Sequence, residues 1–310
     1  MAKEKLIDRE DWTEHYVRKG NPKKPTYYII RRKLDFVGLF SNYIVFASHI
    51  RHALSKGWLP VIDMQNYPNA YLEPEKLGKE NAWEYFFEQP LRIGLEEAYN
   101  GENIILANGD AVWFPWQDMT IYENKTVLTE WRMLVKWGLL RIKPQLMESI
   151  LAVKDELFPK NRRVLGVFLR GTDYIANRPY GHPIPPPIEY AMGVVLSKLQ
   201  EWQYTRIFLS TEDKDILQVF KSLFKDVCFT IDREYADCKP GQIYVNSRIN
   251  RENDRFLTAK DYLTELVLLS QCNSFITARS SGSLGVMMMA NDFEHVLAFN
   301  LGNYGKLAPI

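Results

Sequence analysis

The chain has 310 residues, enough for two domains of ordinary size that each have a hydrophobic core. Its 39 basic and 38 acidic residues give a net charge of +1, which argues against a general electrostatic attraction to nucleic acid or to an anionic membrane. Any basic binding site must therefore be local.

Three features of the sequence bear on the cellular location. The first twenty residues are charged throughout and lack the apolar segment of a secretory signal. No run of about 18 apolar residues occurs, so we expect no membrane-spanning helix. The three cysteines, Cys228, Cys238 and Cys272, are not spaced as a metal site and suit a reducing compartment. Together these features predict a cytoplasmic protein.

The first half of the chain is predicted to contain a β-α-β unit that follows a polar lead-in. Gly57 ends its helix, and a right-handed crossover makes its two strands parallel neighbours. The aromatic stretch WFPW at 113–116 is expected to be exposed, where it could stack on an acceptor sugar, and a role in the core is the alternative. The predicted elements are strands at 27–30, 59–62 and 104–107, a helix at 43–56, and helical segments within 129–157 that break near Pro144.

The second half alternates strands with helices, and this alternation predicts a doubly wound parallel sheet. We place the boundary between two domains, 25–160 and 161–310, at the basic stretch 160–163. The predicted elements are strands at 164–169, 206–209, 227–230, 274–277 and 295–299, and helices at 188–202, 214–224, 260–271 and 284–290.

Three of these strands are followed by polar residues, namely RGTD at 170–173, STED at 210–213 and RSSGS at 279–283. The carboxyl ends of parallel strands lie at one edge of a sheet, where such sheets bind ligands, so we expect the three segments to face one crevice. Arginine offers a planar set of donors for a phosphate, and hydroxyls at a helix start suit an anion. Taken singly, each segment has a structural interpretation, as a surface turn or as a helix N-cap.

Several common ligand-binding motifs are absent from the sequence. There is no phosphate-binding loop of the GxxxxGK type and no GxGxxG after the first strand, which argues against a kinase and a dinucleotide-dependent oxidoreductase. No HExxH, CxxC or DxD pair offers a metal site either, so we predict neither a metal site nor a cofactor. A nucleotide diphosphate would then be held by arginine and helix dipoles, without an obligatory cation.

At the three strand ends the sequence resembles the GDP-fucose-dependent fucosyltransferase superfamily, which includes the alpha-1,6, nodulation-factor, protein O- and alpha-1,2 fucosyltransferases. FLRGTDY is similar to the first donor motif of that superfamily, FLSTED to the second, and DYLTELVLLSQCNSFITARSSGSLG to the third. GLFSN, in the first half, resembles its G-x-F-x-N loop. The resemblance covers residues from about 27 to 290.

The resemblance implies a GT-B fold, in which two Rossmann-like domains with parallel sheets face a cleft. The donor would lie on the second domain and the acceptor mainly on the first, with Arg170 on the donor's phosphates. The implied donor-binding residues are Gly38, Asn42, Arg170, Thr172, Asp173, Thr211, Glu212, Asp213, Glu265, Ser280 and Ser281.

The first motif also departs from the superfamily pattern. Phe168 stands where the motif usually has histidine, Tyr174 stands where alpha-1,6 members have lysine, and no glutamate follows soon after as a candidate base. Asp173 or His182 could take that role, although a lone histidine in a proline-rich loop also has a structural interpretation. The candidate catalytic residues are Arg170, Asp173, His182 and Asn42.

With this resemblance, the sequence predicts an inverting, metal-independent glycosyltransferase that transfers fucose from GDP-fucose to a glycan hydroxyl. Two alternatives stay open. One is a transferase that uses another GDP-sugar. The other is a non-catalytic nucleotide- or glycan-binding protein of the same fold, which the missing histidine and glutamate favour.

Overall fold

The structure is a computed structural model that describes residues 13–34, 36–108, 119–161, 163–236, 241, 244, 247–249 and 251–305. Its strands form two sheets, one from each half of the chain. The N-terminal sheet has the order β1-β4-β2-β3, with β1 Thr13–Arg18, β2 Thr26–Arg31, β3 Leu59–Ile62 and β4 Asn103–Asn108. The C-terminal sheet has the order β7-β6-β5-β8-β9, with β5 Leu165–Phe168, β6 Ile207–Ser210, β7 Cys228–Phe229, β8 Ser274–Ala278 and β9 Val296–Phe299.

Helices connect and cover these strands. Those of the first half are α1 Leu39–Ser55, α2 Leu95–Asn100, α3 Lys125–Lys136 and α4 Pro144–Leu157. Those of the second half are α5 Thr172–Asn177, α6 Ile188–Glu201, α7 Lys214–Phe224, α8 Asp254–Ser270 and α9 Ser281–Met289. Within the described ranges, no helix is both long and apolar enough to cross a membrane.

All predicted strands are present, and their ends differ from the predicted ones by at most one residue. The strands of the C-terminal sheet pair in parallel throughout, as the alternation of strands and helices predicts. In the N-terminal sheet, β2 pairs in parallel with β3 and with β4, which confirms the β-α-β unit.

The edge strand β1 is an element that the apolar pattern does not predict. It pairs antiparallel with β4, with Thr13 opposite Asn108. Its sequence TEHYVR is mostly polar, because an edge strand is held through the backbone of a single neighbour and leaves much of its side-chain surface in water. Tyr16, for example, is exposed. A search for runs of apolar residues therefore misses such a strand.

Four helices begin earlier than predicted, and one of them is α3, which starts at Lys125 instead of residue 129. Helices α1, α8 and α9 start at Leu39, Asp254 and Ser281, whereas apolar periodicity predicts starts at residues 43, 260 and 284. Residue Ser280 explains one case, since its side chain accepts a hydrogen bond from the Ser283 N–H in a capping box that begins α9. Periodicity detects the buried face of a helix, and it fails for first turns that line a cavity.

The two halves of the chain share a hydrophobic core. Helix α9 packs against α1 and α3, and one cluster of buried side chains contains Phe40, Phe168 and Leu284. A Cβ atom on Gly285 would overlap the ring of Phe40, so α1 and α9 approach closely at this glycine. The predicted domain boundary at 160/161 falls between α4 and β5 and stays a prediction.

Candidate active site

A cavity of about 740 Å³ is lined by residues from both halves of the chain. The first half contributes the loop after β2, the start of α1 and the loop after β3. The second half contributes the segments that follow β5 and β6 and the first turns of α8 and α9. Seven of the predicted site residues line this cavity together, namely Gly38, Arg170, Asp173, His182, Glu212, Ser280 and Ser281.

Arg170 lies just beyond the carboxyl end of β5 and is held by two carboxylates. Its Nε donates to Glu212 Oε1 at 3.0 Å, and its Nη2 donates to Asp173 Oδ1 at 3.4 Å. The guanidinium also lies over the ring of Tyr174, with its Cζ 4.0 Å from the ring centroid. Burial by itself would lower the pKa of Arg170, but Glu212, Tyr174 and Asp173 together with Tyr262 outweigh that effect and the pKa is raised. The structure therefore holds a charged, oriented guanidinium in the cavity.

Asp173 is a buried hydrogen-bond acceptor next to Arg170. One of its oxygens accepts from Arg170 and from the Thr172 hydroxyl, and the other accepts from the Tyr244 main-chain N–H at 3.3 Å. Thr172 itself is not among the lining residues, and its side chain supports Asp173. Since its oxygens are occupied in this way, Asp173 is better placed to orient Arg170 than to accept a proton from a substrate.

Asp213, a predicted donor-binding residue, uses both carboxylate oxygens to accept hydrogen bonds from main-chain N–H groups. Its Oδ1 accepts from the N–H groups of Asp215 and Ile216 and so caps the start of α7. Its Oδ2 accepts from the Thr172 N–H at 2.9 Å. A Cβ atom on Gly171 would overlap this carboxylate, so the turn after Arg170 requires glycine there. Asp213 does not line the cavity, but it fixes the backbone that presents Arg170.

Glu265 is buried behind the cavity wall in a hydrogen-bond network with Arg233. Its Oε2 accepts from Ser210 Oγ at 3.0 Å and from Arg233 Nη1 at 3.3 Å. Arg233 Nη2 also donates to the main-chain oxygen of Thr211, another predicted site residue that does not line the cavity. Burial raises the pKa of Glu265 to about 7, although Arg233 opposes the rise. Neither Glu265 Oε1 nor Arg233 Nε has a hydrogen-bond partner among the described residues.

Ser280 and Ser281 stand at the start of α9, and both line the cavity. Ser280 acts as the N-cap, which was the structural interpretation, and yet it remains at the cavity wall. Ser281 is the first helical residue, so its N–H group is among those that a helix leaves without a partner within the helix. Such N–H groups and the helix dipole favour an anion at this point.

The GLFSN loop supplies Gly38 to the cavity but turns Asn42 away from it. Asn42 is buried in the second turn of α1, and its Oδ1 accepts from Arg32 Nη1 at 3.5 Å. Arg32 Nη1 also donates to Ser41 Oγ at 2.9 Å, and Arg32 lines the cavity. Asn42 therefore does not line the cavity itself, but it helps to orient Arg32, which does.

His182 lines the cavity and forms a hydrogen bond between its Nδ1 and the Tyr174 hydroxyl at 3.0 Å. Burial and the charge of Arg170 lower the pKa of His182, so the neutral imidazole is favoured. When Nδ1 donates to the tyrosine oxygen, Nε2 keeps its lone pair and can accept a proton. The predicted aromatic stretch at 113–116 lies outside the described residues, as does Cys238.

No protein-family model matches this sequence, and no curated protein sequence does. Solved structures do match. The alpha-1,6-fucosyltransferase NodZ soaked with GDP-fucose matches with a TM-score of 0.56 and 15% identity, over 91% of this chain and 98% of that one. A variant of Arabidopsis thaliana FUT1 in complex with GDP has a TM-score of 0.52 and 10% identity, over 89% and 72%. POFUT1 in complex with GDP has a TM-score of 0.50 and 10% identity, over 91% and 99%.

The chain has the fold of the GDP-fucose-dependent fucosyltransferases. The expected GT-B architecture is thereby confirmed, with an α/β sheet in each half of the chain and a cavity between them. In this fucosyltransferase fold, FLRGTDY joins β5 to α5, FLSTED forms the end of β6 and the turn before α7, and the third motif runs from α8 to α9.

Four of the lining residues that were not predicted are arginines. They are Arg32, Arg233, Arg248 and Arg255. The sequence carries a signal for two of them, Arg233 and Arg248, because the loop between β7 and α8 is unusually rich in arginine. Such a loop has no periodicity from which the direction of a side chain could be deduced, so only the fold shows that these side chains face the cavity.

Proposed function

We propose that this protein is an inverting glycosyltransferase that transfers fucose from GDP-fucose to a glycan hydroxyl without a metal ion. The observation that carries the proposal is Arg170, a charged guanidinium at the carboxyl end of β5 in the cavity of a fucosyltransferase fold. NodZ and POFUT1, which share that fold, have been solved with GDP-fucose or GDP. A cytoplasmic location is part of the proposal, since the buried thiols of Cys228 and Cys272 are free.

Arg170 is suited to stabilise the departing diphosphate. Glu212 and Asp173 hold its guanidinium in place, so little reorganisation is needed when negative charge develops on the leaving oxygen. A guanidinium can contact two phosphate oxygens at once, and the N-terminus of α9 adds main-chain N–H groups on the same cavity. These charges supply the electrostatic role that a metal ion has in other transferases.

Inversion requires a base that removes the proton of the acceptor hydroxyl. In the proposed step, the acceptor oxygen forms a bond to the anomeric carbon while the bond from that carbon to the phosphate oxygen breaks. The electron pair of the broken bond leaves on GDP, and the acceptor proton moves to Nε2 of His182. We assign this role to His182 over Asp173, because both oxygens of Asp173 already accept hydrogen bonds, whereas the lowered pKa of His182 favours a neutral imidazole at the cavity wall.

Incubation of the purified protein with GDP-fucose tests the proposed function. We expect saturable GDP-fucose binding and slow release of GDP, which accelerates when a suitable glycan acceptor is added. Faster turnover with another GDP-sugar in a matched panel would identify the first alternative. Tight binding without any turnover of the panel would identify the non-catalytic alternative, and a failure to bind GDP would contradict the proposal altogether.

We expect the activity to persist in excess EDTA. Arginine and helix N–H groups neutralise the diphosphate in the proposed mechanism, and the described residues contain no group of three or more His, Cys, Asp or Glu side chains placed to hold a metal. The measurement is the initial rate of GDP release with EDTA and with added magnesium. Complete loss of activity in EDTA that magnesium restores would contradict the assignment of charge neutralisation to Arg170.

The pH dependence should report on His182. A base must be neutral to act, and the pKa of His182 lies below the ordinary value of 6.5. The value of kcat/KM should therefore be level near pH 7 and fall only as the pH drops through that lowered pKa. His182→Gln should lower kcat by about 100-fold or more and abolish this acidic limb. An unchanged pH profile in the variant would exclude His182 as the base.

A further inference from the structure

Helix α8 presents one of its faces to the cavity over its first turns. Arg255, Thr258, Ala259 and Tyr262 line the cavity, and their spacing of three and four residues is that of a single helical face. Glu265, which follows on the same face, is buried behind the cavity wall. Tyr262 is therefore the innermost residue of this face to line the cavity.

The ring of Tyr262 contacts two other aromatic rings. It meets the ring of Phe40 edge to face, at a centroid distance of 5.8 Å, and its centroid lies 6.4 Å from that of Phe168. Phe40 and Phe168 are both buried in the core that the two halves of the chain share. These contacts restrict the rotation of the phenol, so its hydroxyl keeps a defined position.

The hydroxyl of Tyr262 lies against the first turn of α9. A Cβ atom on Gly282 would overlap Tyr262 Oη and would come within 3.1 Å of Phe168 Cε1, so the phenol reaches this point only because residue 282 is glycine. Gly282 lines the cavity together with Ser280 and Ser281. The first N–H groups of a helix have no partner within the helix and favour an anion. The hydroxyl therefore lies beside an anion-binding helix start.

Strand pairing places Arg170 next to this helix start. β5 and β8 are hydrogen-bonded neighbours in the parallel sheet, with Phe168 opposite Thr277. Arg170 comes just after Phe168 at the end of β5, and α9 begins just after β8. The two segments therefore leave the same edge of the sheet side by side, and the ring of Phe168 that Tyr262 contacts lies between them and the core.

The Tyr262 hydroxyl is available as a hydrogen-bond donor. Within the described ranges, no group of the protein forms a hydrogen bond with it, whereas Tyr71, on the same cavity wall, donates to the main-chain oxygen of Val37. Burial raises the pKa of Tyr262, so the phenol stays protonated at neutral pH. Phe168, which stands where the superfamily motif usually has histidine, offers no donor at the end of β5.

We propose that the Tyr262 hydroxyl donates a hydrogen bond to the diphosphate of the bound donor, beside Arg170 and the N–H groups of α9. This inference rests on the proposed function, because it takes the diphosphate to lie at Arg170. A hydrogen bond from a fixed phenol strengthens as negative charge develops on the departing GDP, and little reorganisation is needed because the ring is already held by Phe40 and Phe168. Tyr262 thus supplies a donor where Phe168 has none.

The test compares Tyr262→Phe with the wild-type protein, on the full chain, by competition of guanosine, GMP and GDP against a fluorescent GDP derivative. The substitution removes only the hydroxyl and keeps the ring that packs on Phe40 and Phe168. We expect GDP to bind about 10-fold more weakly or worse, as for the loss of a hydrogen bond to a charged group, and guanosine to stay within about twofold. The affinity of GMP shows which of the two phosphates accepts the bond.

Tyr43→Phe is the matched control. Tyr43 packs on the same Phe40 ring at 5.0 Å, and its buried hydroxyl has no hydrogen-bond partner among the described residues, but it does not line the cavity. Loss of this hydroxyl should leave the affinity for all three probes unchanged. Urea denaturation of both variants checks that they are folded.

Unchanged GDP affinity in Tyr262→Phe would overturn the inference. A loss of guanosine affinity by the same factor as GDP affinity would also overturn it, because the hydroxyl would then contact the nucleoside. Wild-type protein that does not bind GDP, or that binds guanosine as tightly as GDP, would instead contradict the proposed function, since no diphosphate would then be held at Arg170.

Discussion

Arg170→Lys is expected to weaken GDP binding by about 1.5 to 3 kcal/mol, or roughly 10- to 150-fold, although the positive charge is kept. The guanidinium contacts Glu212 and Asp173 through different nitrogens and lies over the Tyr174 ring. An ammonium group is a point charge on a flexible stem, so it cannot make the planar two-point contact with a phosphate or keep the same orientation. Isothermal titration calorimetry with GDP measures the difference directly.

Arg163→Lys provides the matched control for this experiment. Arg163 is also paired with a carboxylate, that of Glu294, and lies over the ring of Tyr204, but it does not line the cavity. The same substitution there should leave GDP affinity unchanged. If Arg170→Lys binds GDP as tightly as the wild-type protein, the donor phosphates do not lie at Arg170, and the proposed mechanism loses its leaving-group stabiliser.

Gly285→Ala is expected to destabilise the protein by about 1 to 3 kcal/mol, because it overpacks the contact between α1 and α9. The added methyl group would overlap the ring of Phe40. That ring is buried and packs against Tyr43 and Tyr262, at centroid distances of 5.0 Å and 5.8 Å, so it has little room to move away. Urea denaturation followed by circular dichroism gives the change in the free energy of unfolding.

Gly193→Ala is the control for the intrinsic effect of the substitution. Gly193 lies within α6, and a Cβ atom there would meet no other atom within 4 Å. This change should stabilise the protein by about 0.5 to 1 kcal/mol, because alanine has the higher helix propensity. If the two variants shift the free energy of unfolding in the same direction, the methyl group added at Gly285 does not overpack the contact between α1 and α9.

Local sequence was sufficient to predict eight of the nine described strands and most of the helices. Short apolar runs such as LGVF of β5 and IFLS of β6 are buried in the centre of a parallel sheet. Because both faces of such a strand are buried, its sequence is almost continuously apolar and can be recognised without knowledge of its neighbours. The polar residues that follow these strands could be assigned to one edge of the sheet by topology alone, which brings Arg170, Glu212 and Ser281 to the same cavity. The same reasoning missed β1, because an edge strand needs no apolar run.

Only the tertiary structure decided which polar side chains face the cavity. Glu212 and Asp213 are adjacent in sequence and equivalent in charge, yet Glu212 binds Arg170 in the cavity while Asp213 caps α7. Likewise, Glu265 lies behind the wall, whereas Arg233, Arg248 and Arg255 reach the cavity from a loop and a helix start without a predictive pattern. The direction of a side chain beyond a strand end depends on the helices and loops packed around it, and those contacts come from residues far away in the sequence.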